Sequence, residues 1–303
     1  MITGSTGMLG RHLKSRIALN DVESLTPTRE ELNLLEYSNL AEYIKKNKPT
    51  HIIHCAAKVG GILDNIKHPS SYIMENVRID NNVLWASKTQ SVKNLLYISS
   101  SCVYPRLGPQ PLKTSSLLSG YLEPTNQSYA LAKLTGMESA RTISNEFGFN
   151  YRSVIASNLY GPGDNFKIEN SHLVSAALKK VHEAKTKKKA DIEIFGSGTA
   201  RREFTYVVDL ADWIAGVALS SVEIPQELNV GSGIDHSIDD YYRTAFEVIG
   251  YYPQMVHNLS MPEGMQQKLM DSSEATEKWG WKAKTGIQEG MMKTYEWWLG
   301  QTQ

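Results

Sequence analysis

Apolar positions in the first half of the chain alternate between short consecutive runs and helical spacing. Residues 2–3 form the first short run and lead straight into Gly4. Leu9, Leu13 and Ile17 then fall on one face of a helix predicted over residues 8–18. Residues 22–25 read as a strand, and residues 36–45 as a helix with Leu40, Tyr43 and Ile44 at core spacing. The series continues with a strand at 51–55, a helix at 76–88, a strand at 94–99, a long helix at 129–147 and a strand at 151–156. Strands separated by helices imply right-handed crossovers and a buried parallel sheet. The prediction is an α/β fold, a Rossmann-type doubly wound parallel sheet with a smaller mixed α/β domain beside it.

The second half is less regular. Helices are predicted at 171–183, 209–219, 237–249 and 287–298, with a polar, Lys-rich connection at 184–190. Short strands are predicted at 192–195, 203–207, 228–230, 255–257 and 268–270. Asp209 reads as the cap of its helix, and Gly250 as the stop of the helix at 237–249. The chain then divides into a nucleotide-binding domain over 1–160, rejoined at about 203–220, and a second domain drawn mainly from 161–303. Only three residues precede Gly4, so the first strand is either abbreviated or begins upstream of Met1.

Composition narrows the function classes. Among 303 residues, Lys+Arg and Asp+Glu are 32 each. The basic excess that nucleic-acid binding requires is therefore missing. No apolar run nears the roughly 18 residues of a membrane span, and no signal peptide is read. Cys55 and Cys102 are the two cysteines, which excludes a disulfide scaffold and suits a reducing cytoplasm. Scattered histidines and separated cysteines give no metal-ligand spacing.

Gly4, Gly7 and Gly10 form G-x-x-G-x-x-G between a strand and a helix, with Thr6, Met8 and Leu9 in the turn. Such glycines let the backbone approach a pyrophosphate, and the helix N-terminus offers it free N–H groups and positive charge. After the next apolar run the tip reads Thr26-Pro27-Thr28-Arg29. An NAD enzyme places an acid there for the ribose hydroxyls, whereas NADP needs positive charge for its 2′-phosphate. Arg29 favours NADP(H); the competing reading is a surface pair with Glu30 or Glu31.

Tyr129 and Lys133 are four residues apart and share a helix face. A free phenol titrates near ~10, too high for easy proton transfer at neutral pH. An adjacent ammonium is expected to lower that value. Ser100 closes the strand before it and would hydrogen-bond the substrate oxygen, at the sheet edge where such folds bind ligands.

At these residues the chain resembles the extended short-chain dehydrogenase/reductase family, in particular its branch acting on GDP-keto sugars. The resemblance runs from Gly4 to Trp298. It is carried by Ala56-Ala57-Lys58-Val59-Gly60-Gly61-Ile62, Ser100-Ser101-Cys102-Val103-Tyr104-Pro105, Glu123-Pro124-Thr125-Asn126, Tyr129-Ala130-Leu131-Ala132-Lys133, Asn158-Leu159-Tyr160-Gly161-Pro162, Asp164-Asn165-Phe166 and Gly196-Ser197-Gly198-Thr199. It implies an NADP-dependent oxidoreductase with epimerase activity. The implied reaction converts GDP-4-keto-6-deoxy-D-mannose to GDP-L-fucose by 3,5-epimerisation and reduction of the C4 ketone. It further implies Ser100, Tyr129 and Lys133 as a reductase triad, and Cys102 and His172 as base and acid of the epimerisation. Asn158, Leu159, Lys180, Phe195, Arg202 and Lys268 would hold the GDP-sugar, and Arg29 the NADP phosphate. A homodimer would join through helices near 76–88 and 125–147.

The chain departs from the family pattern at several positions. Thr6 stands where a basic residue is frequent. Lys180 replaces an arginine and loses its bidentate grip on phosphate. Phe195 replaces a tryptophan and would stack on guanine with less area. Gln267 stands before Lys268 where arginine is common. These departures bear on the sugar rather than on the reaction class. Two other functions compete: a C4 reductase of another GDP-4-keto-6-deoxy sugar, for example a heptose, with little or no epimerisation, and a non-catalytic NADP-binding regulator. A regulator has no need of Ser100, Tyr129 and Lys133.

Plainer readings stand beside these. Cys102 would serve as a small buried hydrophobe, and His172 as the start of a helix. His51 and His54 on a core strand read as structural. Lys185, Lys187, Lys188 and Lys189 read as a solvated loop, and Trp213, Trp279, Trp281, Trp297 and Trp298 as packing residues.

Overall fold

Burial follows the predicted periods closely enough to build the sheet from them. The computed structural model describes residues 1–20, 22–167, 170–220 and 223–302. In chain order they form β1 (Ile2–Thr3), α1 (Met8–Ala18), α2 (Tyr37–Asn47), β2 (His51–His54), α3 (Ile62–Lys67), α4 (Pro69–Thr89), β3 (Asn94–Ser100), α5 (Gln127–Phe147), β4 (Asn150–Ala156) and β5 (Asn158–Tyr160). There follow α6 (Leu173–Thr186), β6 (Asp191–Phe195), β7 (Arg201–Tyr206), α7 (Val207–Leu219), β8 (Glu227–Val230), β9 (Asp235–Ser237), α8 (Ile238–Ile249), β10 (Gln254–Asn258), β11 (Gln267–Lys268), α9 (Ser273–Trp279) and α10 (Ile287–Thr302).

Among the described residues, five parallel strands form the main sheet in the order β1-β2-β3-β4-β8. Alternate side chains of β3 point to opposite faces, and both faces are buried. Leu95 and Tyr97 join Leu40, Ile44, Val83, Leu84 and Ile143 under α2, α4 and α5. Leu96 and Ile98 join Leu9, Leu13, Ile17, Leu210 and Ile214 under α1 and α7. This is the doubly wound α/β arrangement, which covers both faces of a parallel sheet with helices. A third cluster, with Val174, Leu178, Ile194, Phe204, Tyr241, Phe246 and Met291, fills the space between α6, α8, α10 and the smaller sheets. Those sheets are β6 with β10, and β11-β7-β5 with β9 antiparallel to β7. No described helix is long and apolar enough to cross a membrane.

Several expectations are corrected. Residues 22–25 make no strand. With β1 only two residues long there is little ladder to join, and the contact is one bond, from Ile2 N to Leu25 O at 2.8 Å. Asp209 lies in the first turn of α7 but does not cap it. Its carboxylate accepts from the Lys284 and Thr285 amides (2.8 Å each) and the Thr285 hydroxyl (3.0 Å), tying down the approach to α10. α4 starts at Pro69, whose fixed φ suits a first helical position, rather than at 76. α6 runs on through Thr186, into the stretch read as a loop. β11 ends at Lys268, and Met270 beyond it only bridges to Leu112. By contrast α8 ends at Gly250 in the left-handed conformation, φ 64°.

Glu203 braces the smaller sheet. It is 2% exposed in β7 and accepts from the amides of Gly233 (2.7 Å) and Met270 (3.0 Å). Burial pushes its carboxyl up to about 7. The folded state therefore keeps this proton to higher pH than the unfolded chain, and stability falls as pH rises from the ordinary carboxyl range towards 7. Glu203→Gln cannot ionise. Its thermal midpoint relative to wild type should rise by several degrees between about pH 5 and about pH 8. A midpoint difference independent of pH would show that Glu203 does not titrate in this range.

Candidate active site

The carboxyl ends of β2, β3 and β4 open into a cavity of about 890 Å³, within the usual range for small-molecule sites. Every residue singled out from the sequence lines it: Gly4, Thr6, Gly7, Met8, Leu9, Gly10, Arg29, Ser100, Cys102, Tyr129, Lys133, Asn158, Leu159, His172, Lys180, Phe195, Arg202 and Lys268.

At one end the chain turns tightly, with Gly7 N donating to Gly4 O at 2.9 Å. A Cβ on Gly10 would collide with the Gly4 carbonyl, so only glycine lets α1 start this close to β1. Gly7 caps α1 with no side-chain hydrogen bond, which leaves first-turn amides for an anion. The Ser5 hydroxyl reaches the carbonyls of Thr26 (3.1 Å) and Pro27 (3.0 Å) and so sets the tip that carries Arg29. Arg29 is exposed at the rim, and the expected competitor Glu31 instead accepts from Thr28 N at 2.8 Å. The Arg11 guanidinium donates to the Thr6 carbonyl (2.9 Å) and puts a cation beside the turn where Thr6 has none. This cradle and its cations fit a phosphorylated dinucleotide.

At the centre, Ser100 ends β3, and a short 3-10 turn over Ser101–Val103 follows. The Ser100 hydroxyl caps that turn by accepting from Cys102 N at 3.3 Å. Tyr129 and Lys133 lie one turn apart on α5. The expected fall in the Tyr129 pKa does not occur. Burial raises it well above the ordinary phenol value, Cys102 and Asp80 add to the rise, and Ser100 opposes it. Burial is the chief cause, and Lys133 does not offset it. Its ammonium, 2% exposed, stands 3.7 Å from Asp80 and 4.2 Å over the Tyr97 ring. Tyr129 is thus a phenol that keeps its proton.

Cys102 has polar company. Its Sγ accepts from Asn126 Nδ2 (3.0 Å) and Lys268 Nζ (3.5 Å), and the Arg202 guanidinium lines the same cavity. The sulfur thus meets a cation and an amide donor on one side and the apolar cluster under α4 and α5 on the other. His172 is the N-cap of α6, and the preceding Asn170 carbonyl accepts from Gly61 N (3.2 Å), which docks this segment on the loop after β2. Asp164, buried close by, interacts electrostatically with His172; burial raises its carboxyl and His172 opposes the rise.

At the far end, Lys180 Nζ lies 4.4 Å over the Phe195 ring and donates to the Glu193 carbonyl at 2.9 Å. Asn158 Nδ2 donates to the Glu203 carbonyl at 3.1 Å. Arg202 donates to the Arg201 and Glu263 carbonyls (2.7 and 2.6 Å). Asn126 and Asp80 escaped notice as individual site residues in the sequence. A signal for Asp80 existed: Tyr72, Asn76, Asp80 and Ser87 recur at helical spacing on the buried face of α4, and polar groups on a core face need partners.

The profile of the NAD dependent epimerase/dehydratase family matches residues 1–231. Over 302 residues the chain is 39% identical to the GDP-L-colitose synthase of Yersinia pseudotuberculosis, covering 99% of this chain and 98% of that protein. It is 37% identical over 307 residues to the GDP-L-fucose synthase of Escherichia coli K12, covering 98% and 95%. Among solved structures, the GDP-mannoheptose C4 reductase of Campylobacter jejuni with NADP bound matches with a TM-score of 0.86 at 28% identity, over 98% of this chain and 97% of that one.

The sulfur's surroundings predict its reactivity. Lys268→Met should slow iodoacetamide alkylation of Cys102 at about pH 7 by roughly tenfold, followed by peptide mass spectrometry. Cys55, whose thiol burial pushes up to about 12, should stay unmodified and serve as internal reference. An unchanged rate at Cys102 would remove Lys268 from the sulfur's electrostatics.

Proposed function

Because the chain belongs to the NAD dependent epimerase/dehydratase family, we propose that it converts GDP-4-keto-6-deoxy-D-mannose to GDP-L-fucose with NADPH, by epimerisation at C3 and C5 and reduction at C4. One observation carries this reading: the buried Tyr129, beside Ser100 at the end of β3, and Cys102, flanked by Lys268 and Asn126, line the same cavity. A C4 ketone acidifies the protons on C3 and C5. Cys102, as thiolate, removes them, and His172 returns a proton on the opposite face. NADPH supplies the hydride for C4. Tyr129 gives its hydroxyl proton to the C4 oxygen, and Ser100 holds that oxygen by a hydrogen bond.

The remaining residues position the two ligands. Gly4, Thr6, Gly7, Met8, Leu9 and Gly10 carry the cofactor pyrophosphate, Arg29 its 2′-phosphate, and Tyr129 with Lys133 its nicotinamide end. Asn158, Leu159, Lys180, Phe195, Arg202 and Lys268 take the GDP-sugar, Phe195 by stacking and the cations by charge. In this reading residues 1–160, with the return into the main sheet, hold NADP, and 161–303 mainly hold the sugar nucleotide. Met74 and Trp85 on α4 and Leu131 on α5 are exposed apolar residues, and we assign this face to a homodimer contact. The two free cysteines suit the cytoplasm. The likeness to a GDP-mannoheptose C4 reductase favours a second reading, in which the keto sugar is reduced without epimerisation.

Two measurements separate and test these readings. With GDP-4-keto-6-deoxymannose and NADPH in deuterated water, the product should carry deuterium at C3 and C5 by NMR. Cys102→Ser should give only the unepimerised, undeuterated reduction product. A wild-type product free of deuterium at both carbons selects the second reading. Arg29→Ala should weaken NADPH relative to NADH by roughly 10–100-fold, the worth of a charge-assisted phosphate contact. Equal losses for both cofactors would take Arg29 out of the 2′-phosphate site.

A further inference from the structure

The carboxylate of Asp80 stands where β2, β3, α4 and α5 meet, and the reaction set out above makes no use of it. It is wholly buried. Oδ1 accepts from His54 Nε2 at 3.0 Å; Oδ2 accepts from the Tyr97 hydroxyl at 2.5 Å and lies 3.7 Å from Lys133 Nζ. His54 Nδ1 lies 2.6 Å from the hydroxyl of Thr3, the residue before Gly4. With Nε2–H given to Asp80, Nδ1 is the acceptor and the Thr3 hydroxyl the donor, so the network itself assigns one neutral tautomer. Thr3 Oγ1 accepts in turn from Ala56 N at 3.4 Å.

Close packing makes the arrangement possible. A Cβ on Gly136, one turn after Lys133, would strike the Tyr97 hydroxyl and come within 2.9 Å of Asp80 Oδ2. Glycine at that position lets α5 approach α4 and β3 closely enough for the ammonium to reach the carboxylate.

The groups facing Lys133 are Asp80 from α4, Tyr97 from β3, His54 and Cys55 from β2 and its end, and Tyr129 from α5 itself. Burial raises both phenols and the Cys55 thiol and lowers His54, so all four are neutral at neutral pH. Although burial raises the Asp80 carboxyl, Lys133, His54 and Tyr97 outweigh it and hold the group below the ordinary range. Asp80 is therefore the negative charge among these groups that answers a buried ammonium. Without such a partner, burial strips a lysine of its proton.

We propose that Asp80 is a positioning residue for the reductase centre: it holds the Lys133 ammonium charged and in place, while His54 and Tyr97 fix its carboxylate and Thr3 ties this brace to the strand that launches the glycine turn. The inference rests on the reading of Lys133 as a member of the triad. The same carboxylate adds to the burial that raises the Tyr129 phenol and leaves it as a proton donor.

The test reads the charge of Lys133 directly. In the full-length chain labelled with ¹³Cε-lysine, the Lys133 signal is identified by its loss in Lys133→Arg. Burial lowers the Lys133 ammonium below the ordinary lysine range even with Asp80 beside it; in wild type its titration midpoint should still lie above neutral pH, and Asp80→Asn should lower it further, as loss of an opposite charge at this range does. The alkaline limb of kcat for ketone reduction should move down with it, with KM for the sugar nucleotide within about twofold of wild type. Asp80→Glu should recover most of the limb. A merely structural Asp80 would lower thermal stability and leave midpoint and limb unmoved, and that result in a folded Asp80→Asn chain overturns the inference. A wild-type Lys133 midpoint below about pH 7 overturns it without any variant having to fold. Loss of reduction in Lys133→Met with an unmoved Asp80→Asn counts against the brace alone. Undiminished reduction in Lys133→Met removes the triad reading, and the inference with it.

Discussion

A lysine ammonium withdrawn from water is the constraint around which the reacting end of the sheet is organised. Lys133 lies on the buried face of α5 beside Ala130, Ala132, Gly136 and Ala140, small residues that let this helix sit close against α4 and β3. Bringing a charge into such a space is tolerated only where an opposite charge and full hydrogen bonding meet it. The buried face of α4 accordingly carries Asp80, whose carboxylate is held by Tyr97 from β3 and His54 from β2. Identities on three neighbouring elements thus follow from one side chain on a fourth.

The cavity joins two chemistries with opposite electrical needs. In the proposed reaction Tyr129 must keep a proton to give away, and burial together with Asp80 holds that proton on. In the same proposal Cys102 must lose one, and Lys268 and Asn126 meet its sulfur with a positive charge and a donor, with Arg202 in the same cavity. Cys102 stands just beyond the end of β3 and Tyr129 on α5 beside Ser100, so the separation is made by what faces them. The main-sheet elements supply the surroundings of the tyrosine. The cations of the cysteine come from β7 and β11, strands of the smaller sheet.

Much of this was legible in the residues, for reasons that differ by feature. The parallel sheet follows from period and alternation, and the glycine turn and the spacing of Tyr129 from Lys133 are local. The strand expected at 22–25 failed because apolar content alone does not make a ladder when the neighbouring strand has two residues. β5, β9 and β11 carry too few positions to establish a period. Asp209 was misread as a cap because its true partners, the Lys284 and Thr285 amides, are remote in sequence. The direction of the Tyr129 shift was missed because its chief cause is burial of the phenol, which spacing alone does not show. A pattern says which face Lys133 occupies, whereas the Asp80 that meets it there comes from another helix.

The placement of β8 bears on how the protein is made. β8 closes the main sheet against β4, yet the intervening chain first builds α6, β6, β7 and α7. On the ribosome, β4 is finished while its outer edge still lacks the strand that will cover it. That edge carries Ser153, Val154, Ile155 and Ala156, mostly apolar and unpaired until residues 227–230 emerge. Pairing so distant in sequence slows folding, and an open strand edge invites the wrong neighbour. The nascent chain is therefore most vulnerable to aggregation in the interval between completing β4 and releasing β8.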